Sequence, residues 1–105
     1  MKNHTKIYMK ALGYSGEDFI PSEISGNRAV DIHHIECKGS GGNPLGDKDR
    51  IENLMAVTRE EHVEYGDKKH YMKYLFETHY IFLKSNGVKF DESYMIDKIK
   101  YYEGQ

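Results

Sequence analysis

A chain of 105 residues, 38% of them hydrophobic, is long enough for one domain with a modest core and too short for two. Its single cysteine, Cys37, cannot form an internal disulfide, so a reducing cytoplasm is the expected compartment. No apolar run approaches the roughly 20 residues that a membrane span needs, no signal peptide is recognised, and a formal charge of −2 does not indicate nucleic-acid binding.

The first half of the chain contains one predicted helix and one predicted strand. Apolar residues at helical spacing predict a short helix over residues 4–12, which Gly13 would end. Pro and Gly-Asn indicate a turn over residues 20–27. The apolar run that follows predicts a strand over 28–35, and an irregular glycine-rich loop over 36–52 follows the strand.

The second half begins with a short strand over 54–57. Thr58 and Glu61 then form a Thr-x-x-Glu capping box, which predicts the start of a helix. This helix is expected to continue past Gly66 to near Ser85, at a cost of about 1 kcal/mol for the glycine. A last short helix over 92–102, with Asp91 as its cap, completes the prediction.

Four residues in a fixed order carry the chemistry. His33 and His34 close the first strand, Asn53 precedes the second strand, and His62 lies in the first turn of the helix. The segments concerned read AVDIHHI, RIENLMAV and TREEH. This order resembles the ββα-metal (His-Me finger) core of the HNH endonucleases, and the resemblance covers residues 20–66 well.

The resemblance implies an α+β fold, in which a two-stranded antiparallel hairpin and a long helix are flanked by N- and C-terminal helices. The expected organisation is a single nuclease domain over residues 1–105. Residues 1–27 would form the N-terminal helix and turn, residues 28–66 the ββα-metal core, and residues 67–105 a helical extension.

The resemblance also implies a metal-dependent endonuclease that hydrolyses DNA and leaves a 3′-hydroxyl and a 5′-phosphate. His34 would be the general base, because a neutral imidazole suits that role near pH 7. The amide of Asn53 would bridge backbone groups and hold the loop that orients the base. His33 and His62 would bind a divalent ion, which is Mg²⁺, Mn²⁺ or Zn²⁺. Water, the substrate or Asp31 would complete the shell.

Two features depart from the simplest version of this site. Successive strand residues point to opposite faces, so His33 and His34 both reach one site only if the strand ends or bulges there. Gly66 stands where relatives with a His-x-x-x-His helix place a further ligand, and it offers no side chain.

A structural zinc site found in many HNH domains is missing here. Such domains hold the zinc with two Cys-x-x-Cys pairs, whose corresponding positions in this chain are Ser22, Ser25, Thr58 and Glu61. All four cysteines are absent together, and Cys37 cannot replace them. Stability must then come from the capping box and the long C-terminal helix.

The expected partner is duplex DNA, recognised with weak sequence specificity. Basic residues that could contact phosphates without reading sequence are Lys38, Lys48, Arg50, Arg59, Lys68 and Lys69. Stand-alone HNH proteins resemble phage or mobile-element products, which implies the cytoplasm of a bacterial host. Cutting both strands requires two active sites, so a homodimer or a larger phage complex is an expected assembly.

Two alternative functions remain open. The acidic balance around the motif, the missing zinc site and the absent helix ligand also fit a non-catalytic nucleic-acid-binding or assembly module that keeps the HNH fold. A nuclease directed at RNA is the other alternative. Of the remaining histidines, His4 is expected to be a solvated terminal residue and His79 a packed core residue.

Overall fold

The computed structural model describes residues 1–37 and 48–104, and within them the fold is α+β. Most of the predicted glycine-rich loop, and Lys38 with it, lies outside the described residues. The elements in chain order are α1 (Asn3–Leu12), β1 (Asp31–His34), β2 (Leu54–Val57), α2 (Arg59–Tyr65), α3 (Met72–Ser85) and α4 (Glu92–Glu103), with 3-10 turns at Ile51–Asn53 and Lys69–Tyr71. No helix in these two segments is long and apolar enough to cross a bilayer.

The two strands form the predicted antiparallel hairpin. Asp31 lies opposite Val57, and His34 lies opposite Leu54. All four residues of β2 are buried, because alternate side chains of a strand point to opposite faces and both faces of β2 are covered. One face packs against Tyr8 of α1, and the other joins the main core with α3 and α4. The paired part of β1 is shorter than the predicted strand over 28–35.

The helix after the hairpin begins as predicted but ends much earlier. The N–H of Glu61 donates to Oγ1 of Thr58 (3.1 Å), and the Glu61 carboxylate accepts from the N–H of Thr58 (2.9 Å), which confirms the capping box. The prediction of one long helix to residue 85 is wrong. Gly66 ends α2 with an extended backbone, and Asp67 takes a left-handed conformation (φ 58°) that an α-helix excludes. The chain therefore turns before α3 begins at Met72.

Helices α3 and α4 supply most of the main core. The N–H of Tyr94 donates to the side chain of Asp91, so the predicted cap of the last helix is confirmed. The buried apolar residues of this core are Ile35, Met55, Val57, Met72, Leu75, Phe76, Leu83 and Met95.

A buried ion pair joins α3 to the segment that precedes β1. Nδ1 of His79 lies 2.6 Å from a carboxylate oxygen of Glu23, and Nε2 lies 2.6 Å from the carbonyl oxygen of Ile51. Both side chains are fully buried. Burial opposes the charge on the ring, but Glu23 and the Ile51 carbonyl outweigh it and raise the pKa of His79. The prediction of a packed core histidine is confirmed.

The four positions that the HNH resemblance aligns with zinc ligands are occupied by hydrogen-bonded polar residues. Ser22 donates from Oγ to the same carboxylate oxygen of Glu61 that accepts from the Thr58 N–H. Burial alone would raise the pKa of Glu61, but hydrogen bonds from Ser22, Ser25 and Thr58 lower it. The polar staple (Ser22, Ser25, Thr58 and Glu61) thus joins the turn before β1 to the start of α2.

Candidate metal centre and active-site cleft

An open cleft of about 460 Å³ lies where α1, β1 and the end of α2 meet. Its lining includes Lys2 and Cys37. It also includes the titratable side chains of His4, Asp31, His33, His34, His62 and Asp67. Both members of the His-His pair therefore reach one cleft, because β1 ends at His34.

His33 and His62 lie side by side in this cleft, with ring centroids 4.5 Å apart. The residue His33 is 5% exposed, and its Nε2 atom is buried with no hydrogen-bond partner among the described residues. A buried polar atom without a partner is costly. Burial, and to a lesser extent the neighbouring imidazole of His62, lower the pKa of His33 to about 4, so the ring is neutral and its nitrogen lone pair is available.

Asp31 orients the second ring of this pair. Its carboxylate lies 3.2 Å from Nδ1 of His62 and pairs at 3.2 Å with Arg59. If Nδ1 donates to the carboxylate, Nε2 of the neutral His62 ring is left as an acceptor. A carboxylate that fixes the tautomer in this way is a common partner of metal-binding histidines.

The backbone at Gly66 lies against both rings. A Cβ atom at this position would lie 2.3 Å from the carbonyl oxygen of His62, 3.0 Å from Cδ2 of the same residue and 3.3 Å from Cε1 of His33. The glycine therefore allows the end of α2 to approach His33 closely. The next residue, Asp67, also lines the cleft, and its charge acts on His33. No sequence motif had singled out Asp67.

His34 belongs to a second group of side chains in the same cleft. Its Nε2 atom lies 2.7 Å from the carboxylate of Asp49, and its ring centroid lies 4.5 Å from that of His4. The side chains of His34 and Asp49 are 13% and 12% exposed. Strand alternation explains the division, since His33 faces α2 and His34 faces α1.

The expectation for His4 as a solvated terminal residue is wrong. The residue is half-buried and lines the cleft. One ligand atom from each of His4, His34 and Asp49 lies within 4.8 Å of the other two, so this group could hold a metal ion. Sequence reasoning missed His4 and Asp49, because 30 and 15 residues separate them from His34 and no local pattern links them.

The fully buried amide of Asn53 bridges the two described ends of the segment between the strands. Its Oδ1 accepts from the N–H of Glu36 (2.8 Å). Its Nδ2 donates to the carbonyls of Glu36 (3.1 Å) and Lys48 (3.0 Å). This is the kind of backbone bridge expected of Asn53. Because Lys48 directly precedes Asp49, the bridge also supports the residue that contacts His34.

Two of the candidate phosphate-binding residues are arginines with intramolecular partners. The guanidinium of Arg50 pairs with Glu52 at 2.8 Å and lies over the ring of Tyr94, 3.8 Å from its centroid. Contact with a phosphate would compete with these interactions. Arg59 pairs with Asp31 beside the cleft, and 69% of its side chain is exposed.

The three candidate lysines that the structure describes do not form a shared surface at the cleft. Lys48 lies 3.5 Å from the Glu36 carboxylate. Lys68 donates to the carbonyl of Glu64 (2.6 Å), and Lys69 lines a different cleft together with His70.

Three lysines that sequence reasoning did not select lie on α1 and just before it. Lys2 lines the cleft, and Lys6 and Lys10 follow at intervals of four residues. All three are exposed, and residues 1–16 contain no acidic side chain. Residues four apart lie on one face of a helix, about 6 Å apart along its axis. A basic stripe (Lys2, Lys6 and Lys10) therefore extends from the cleft.

Comparison of the chain with family models, with curated proteins and with solved structures found no match.

Proposed function

We propose that this protein is a metal-dependent HNH-type endonuclease that hydrolyses DNA, with β1, β2 and α2 as its ββα-metal core. One observation carries the proposal. The rings of His33 and His62 lie together in an open cleft, and a buried nitrogen of His33 has no hydrogen-bond partner in the described part of the chain. These two residues are called the metal-binding pair below.

The donor set fits a divalent ion. His33 is held neutral by burial, and Nε2 of His62 would be a lone-pair donor in the tautomer whose Nδ1–H donates to Asp31. Two neutral ligands leave most of the charge of an ion uncompensated and leave positions open for water and phosphate. An ion bound there would stabilise negative charge on the phosphoryl group and on the leaving oxygen.

His34 would take the proton from the attacking water. Its Nε2–H is held by Asp49, so Nδ1 of the neutral ring is the acceptor nitrogen. Asp49 and Asn53 act as positioning residues: Asp49 holds the ring, and Asn53 holds the backbone next to Asp49. His34, together with the metal-binding pair, would thus bring a base and a cation to one phosphate.

The polar staple supports the alignment with the HNH core. The alignment places four absent cysteines at residues 22, 25, 58 and 61, which are distant in sequence. In a domain of this family those positions must converge between the turn before the hairpin and the first turn of the helix. Their side chains do converge here, around the carboxylate of Glu61. Hydrogen bonds would then take the place of the zinc.

The basic stripe is the best surface for the DNA backbone. Its exposed lysines begin at the cleft and continue along α1, so a strand with a phosphate beside His34 could extend over them. Phosphate contacts of this kind give affinity without sequence specificity. Replacing Lys6 and Lys10 with Gln should weaken DNA binding and reduce its salt dependence by about two counterions.

A plasmid-nicking assay tests the proposal. Supercoiled plasmid and total RNA are incubated separately with the protein and Mg²⁺, Mn²⁺ or Zn²⁺. We expect at least one of these ions to support nicking of the plasmid. The His34→Ala variant should lose about 10²–10⁴-fold in rate, as expected on removal of a general base. His33→Ala should lose both activity and metal affinity.

His70→Ala is the matched control, since His70 is exposed and lies outside the cleft. It should behave as the wild type. The endonuclease assignment fails if the wild type and His34→Ala nick at the same rate, or if no divalent ion supports cleavage. Cleavage of RNA alone would replace DNA by RNA as the substrate.

A further inference from the structure

We propose that His4, His34 and Asp49 form a second divalent-ion site, selective for zinc-like ions, whose occupancy inhibits the nuclease. The inhibitory part of this inference rests on the proposed function, because it assumes that His34 is the base. The site itself is independent of that assumption. It is distinct from the metal-binding pair, although both open into the same cleft.

The geometry of the three side chains is close to that of a metal site. One donor atom from each lies within 4.8 Å of the others. Two donors on a tetrahedral zinc ion lie about 3.4 Å apart. Side-chain rotations that move the donor atoms by about an ångström would therefore bring all three to one ion. His34 and Asp49 already touch at 2.7 Å.

The surroundings of the site favour ordered ligands. The side chains of His34 and Asp49 are mostly buried, and Nδ2 of Asn3 lies 3.1 Å from the second carboxylate oxygen of Asp49. That contact leaves the other oxygen directed at His34 and orients the carboxylate. The three ligands come from α1, from the end of β1 and from the segment before Asn53, so an ion would cross-link three parts of the fold.

The donor types determine which ion binds. Two imidazoles and one carboxylate match the three-ligand zinc sites that leave a fourth position open. Magnesium prefers oxygen ligands and would bind poorly to a site with two imidazole nitrogens. The site should therefore stay empty in Mg²⁺ and fill as Zn²⁺ or Co²⁺ is added.

An ion at this site would compete directly with the role of His34. Binding through Nε2 uses the lone pair of that nitrogen, so the single proton of the neutral ring must lie on Nδ1, which then has no lone pair left to accept a proton. Binding through Nδ1 occupies the basic lone pair itself. In either case the ring loses its ability to accept a proton from water, while the metal-binding pair remains intact.

Metal titration tests the site without any activity measurement. Isothermal titration calorimetry with Zn²⁺ and with Co²⁺ should find two ions per wild-type chain. His4→Gln should bind one ion at the wild-type affinity, and its affinity at the second site should be reduced at least tenfold. Asp49→Asn is a second variant that disrupts the same site. His33→Gln should lose the other ion. His70→Gln is the control and should still bind two.

Thermal unfolding gives a second readout. Zinc should raise the Tm of the wild type in two concentration ranges, since an ion that binds only the folded state stabilises it. The rise in Tm over the concentration range at which the second site fills should disappear in His4→Gln. Zinc should also inhibit Mg²⁺-supported nicking, and His4→Gln should need at least tenfold more zinc for half-inhibition.

The outcomes separate this inference from the proposed function. Two ions in the wild type and one in His4→Gln support the second site even if no nucleic acid is cleaved. One ion in the wild type, with an affinity that His4→Gln leaves unchanged, overturns the second site even if the protein nicks DNA. Two ions whose binding does not inhibit nicking would overturn the inhibitory role.

Discussion

Replacing Asn53 with Ala should weaken the fold and the reaction, and should leave metal binding nearly unchanged. The amide is fully buried and makes three hydrogen bonds to the backbone, two with Glu36 and one with Lys48. Alanine makes none of them. The two ends of the segment between the strands would then lose their common anchor.

The size of the effect follows from the number of bonds. A buried hydrogen bond contributes about 0.5–1.5 kcal/mol net, and a buried group left without a partner costs about 1–3 kcal/mol. The backbone groups near the cleft can recover part of this loss by binding water. We therefore expect a loss of roughly 2–4 kcal/mol in the free energy of unfolding, out of the 5–15 kcal/mol typical of a domain.

If the protein is the proposed nuclease, the effect of Asn53→Ala on catalysis should appear in kcat. The carbonyl of Lys48 directly precedes Asp49, which holds the ring of His34, so the base should lose its orientation while His33 and His62 keep theirs. We expect kcat to fall at least tenfold and the affinity for Mn²⁺ to change less than threefold.

Urea unfolding, calorimetry and the nicking assay measure these three quantities. Asn86→Ala is the matched control, because the exposed Asn86 amide contacts only a carbonyl at the end of α3 among the described residues. This substitution should lower the free energy of unfolding by less than about 1 kcal/mol. Unfolding of Asn53→Ala at the wild-type urea midpoint, or a loss of metal affinity with kcat preserved, would refute the reasoning.

Three further predictions concern the end of α2 and the buried ion pair. Gly66→Ala should lower the free energy of unfolding by about 1–3 kcal/mol through overpacking and should weaken ion binding at the metal-binding pair. Urea melts and calorimetry measure the two effects, with Gly16→Ala as the control because a Cβ at Gly16 meets open space. Equal values for the two variants would contradict the prediction. In Asp67→Asn, the asparagine can adopt the left-handed backbone of this position, while the negative charge beside His33 is lost, so the Mn²⁺ affinity should fall about tenfold. An unchanged affinity in calorimetry would show that Asp67 does not act on the ion. Because the pKa of His79 is raised in the folded state, its stabilising pairing with Glu23 should be fully present below about pH 6.5 and lost as the pH rises through the folded pKa. Urea melts at a series of pH values from below to above that pKa should show the free energy of unfolding of the wild type falling as the pH rises. The same fall in a His79→Gln variant would exclude His79 as its source.

Several parts of the fold could be predicted because their signals are local. The capping box at Thr58 and Glu61 involves residues three apart, and the helix it begins is present. The β2 segment and the cap at Asp91 are equally local, and both are confirmed. The length of the helix after β2 was predicted wrongly, because apolar periodicity continues across Gly66. Only contacts with distant residues, such as the approach of Gly66 to His33, show that the helix ends there.

The site was predictable to a similar degree. The order His33, His34, Asn53 and His62 could be read from the chain because it resembles a family pattern. The three histidines line the cleft, and the buried Asn53 bonds the backbone of Glu36 and Lys48. His4 and Asp49 could not be found in this way, since His4 approaches His34 through the packing of α1 on the hairpin, and Asp49 through the course of the segment between the strands. The lysines of α1 were missed for the same reason.

The sequence by itself determined the second strand and the starts of α2 and α4, because caps, turns and alternation act between neighbouring residues. It also determined that two imidazoles stand next to each other at the end of a strand. Only the tertiary structure decided which neighbours each ring has, with Asp31 and His62 on one face and His4 and Asp49 on the other. The physical reason is that strand alternation separates adjacent side chains, while His4, His62 and Asp49 come from two helices and a segment whose positions depend on the packing of the whole core.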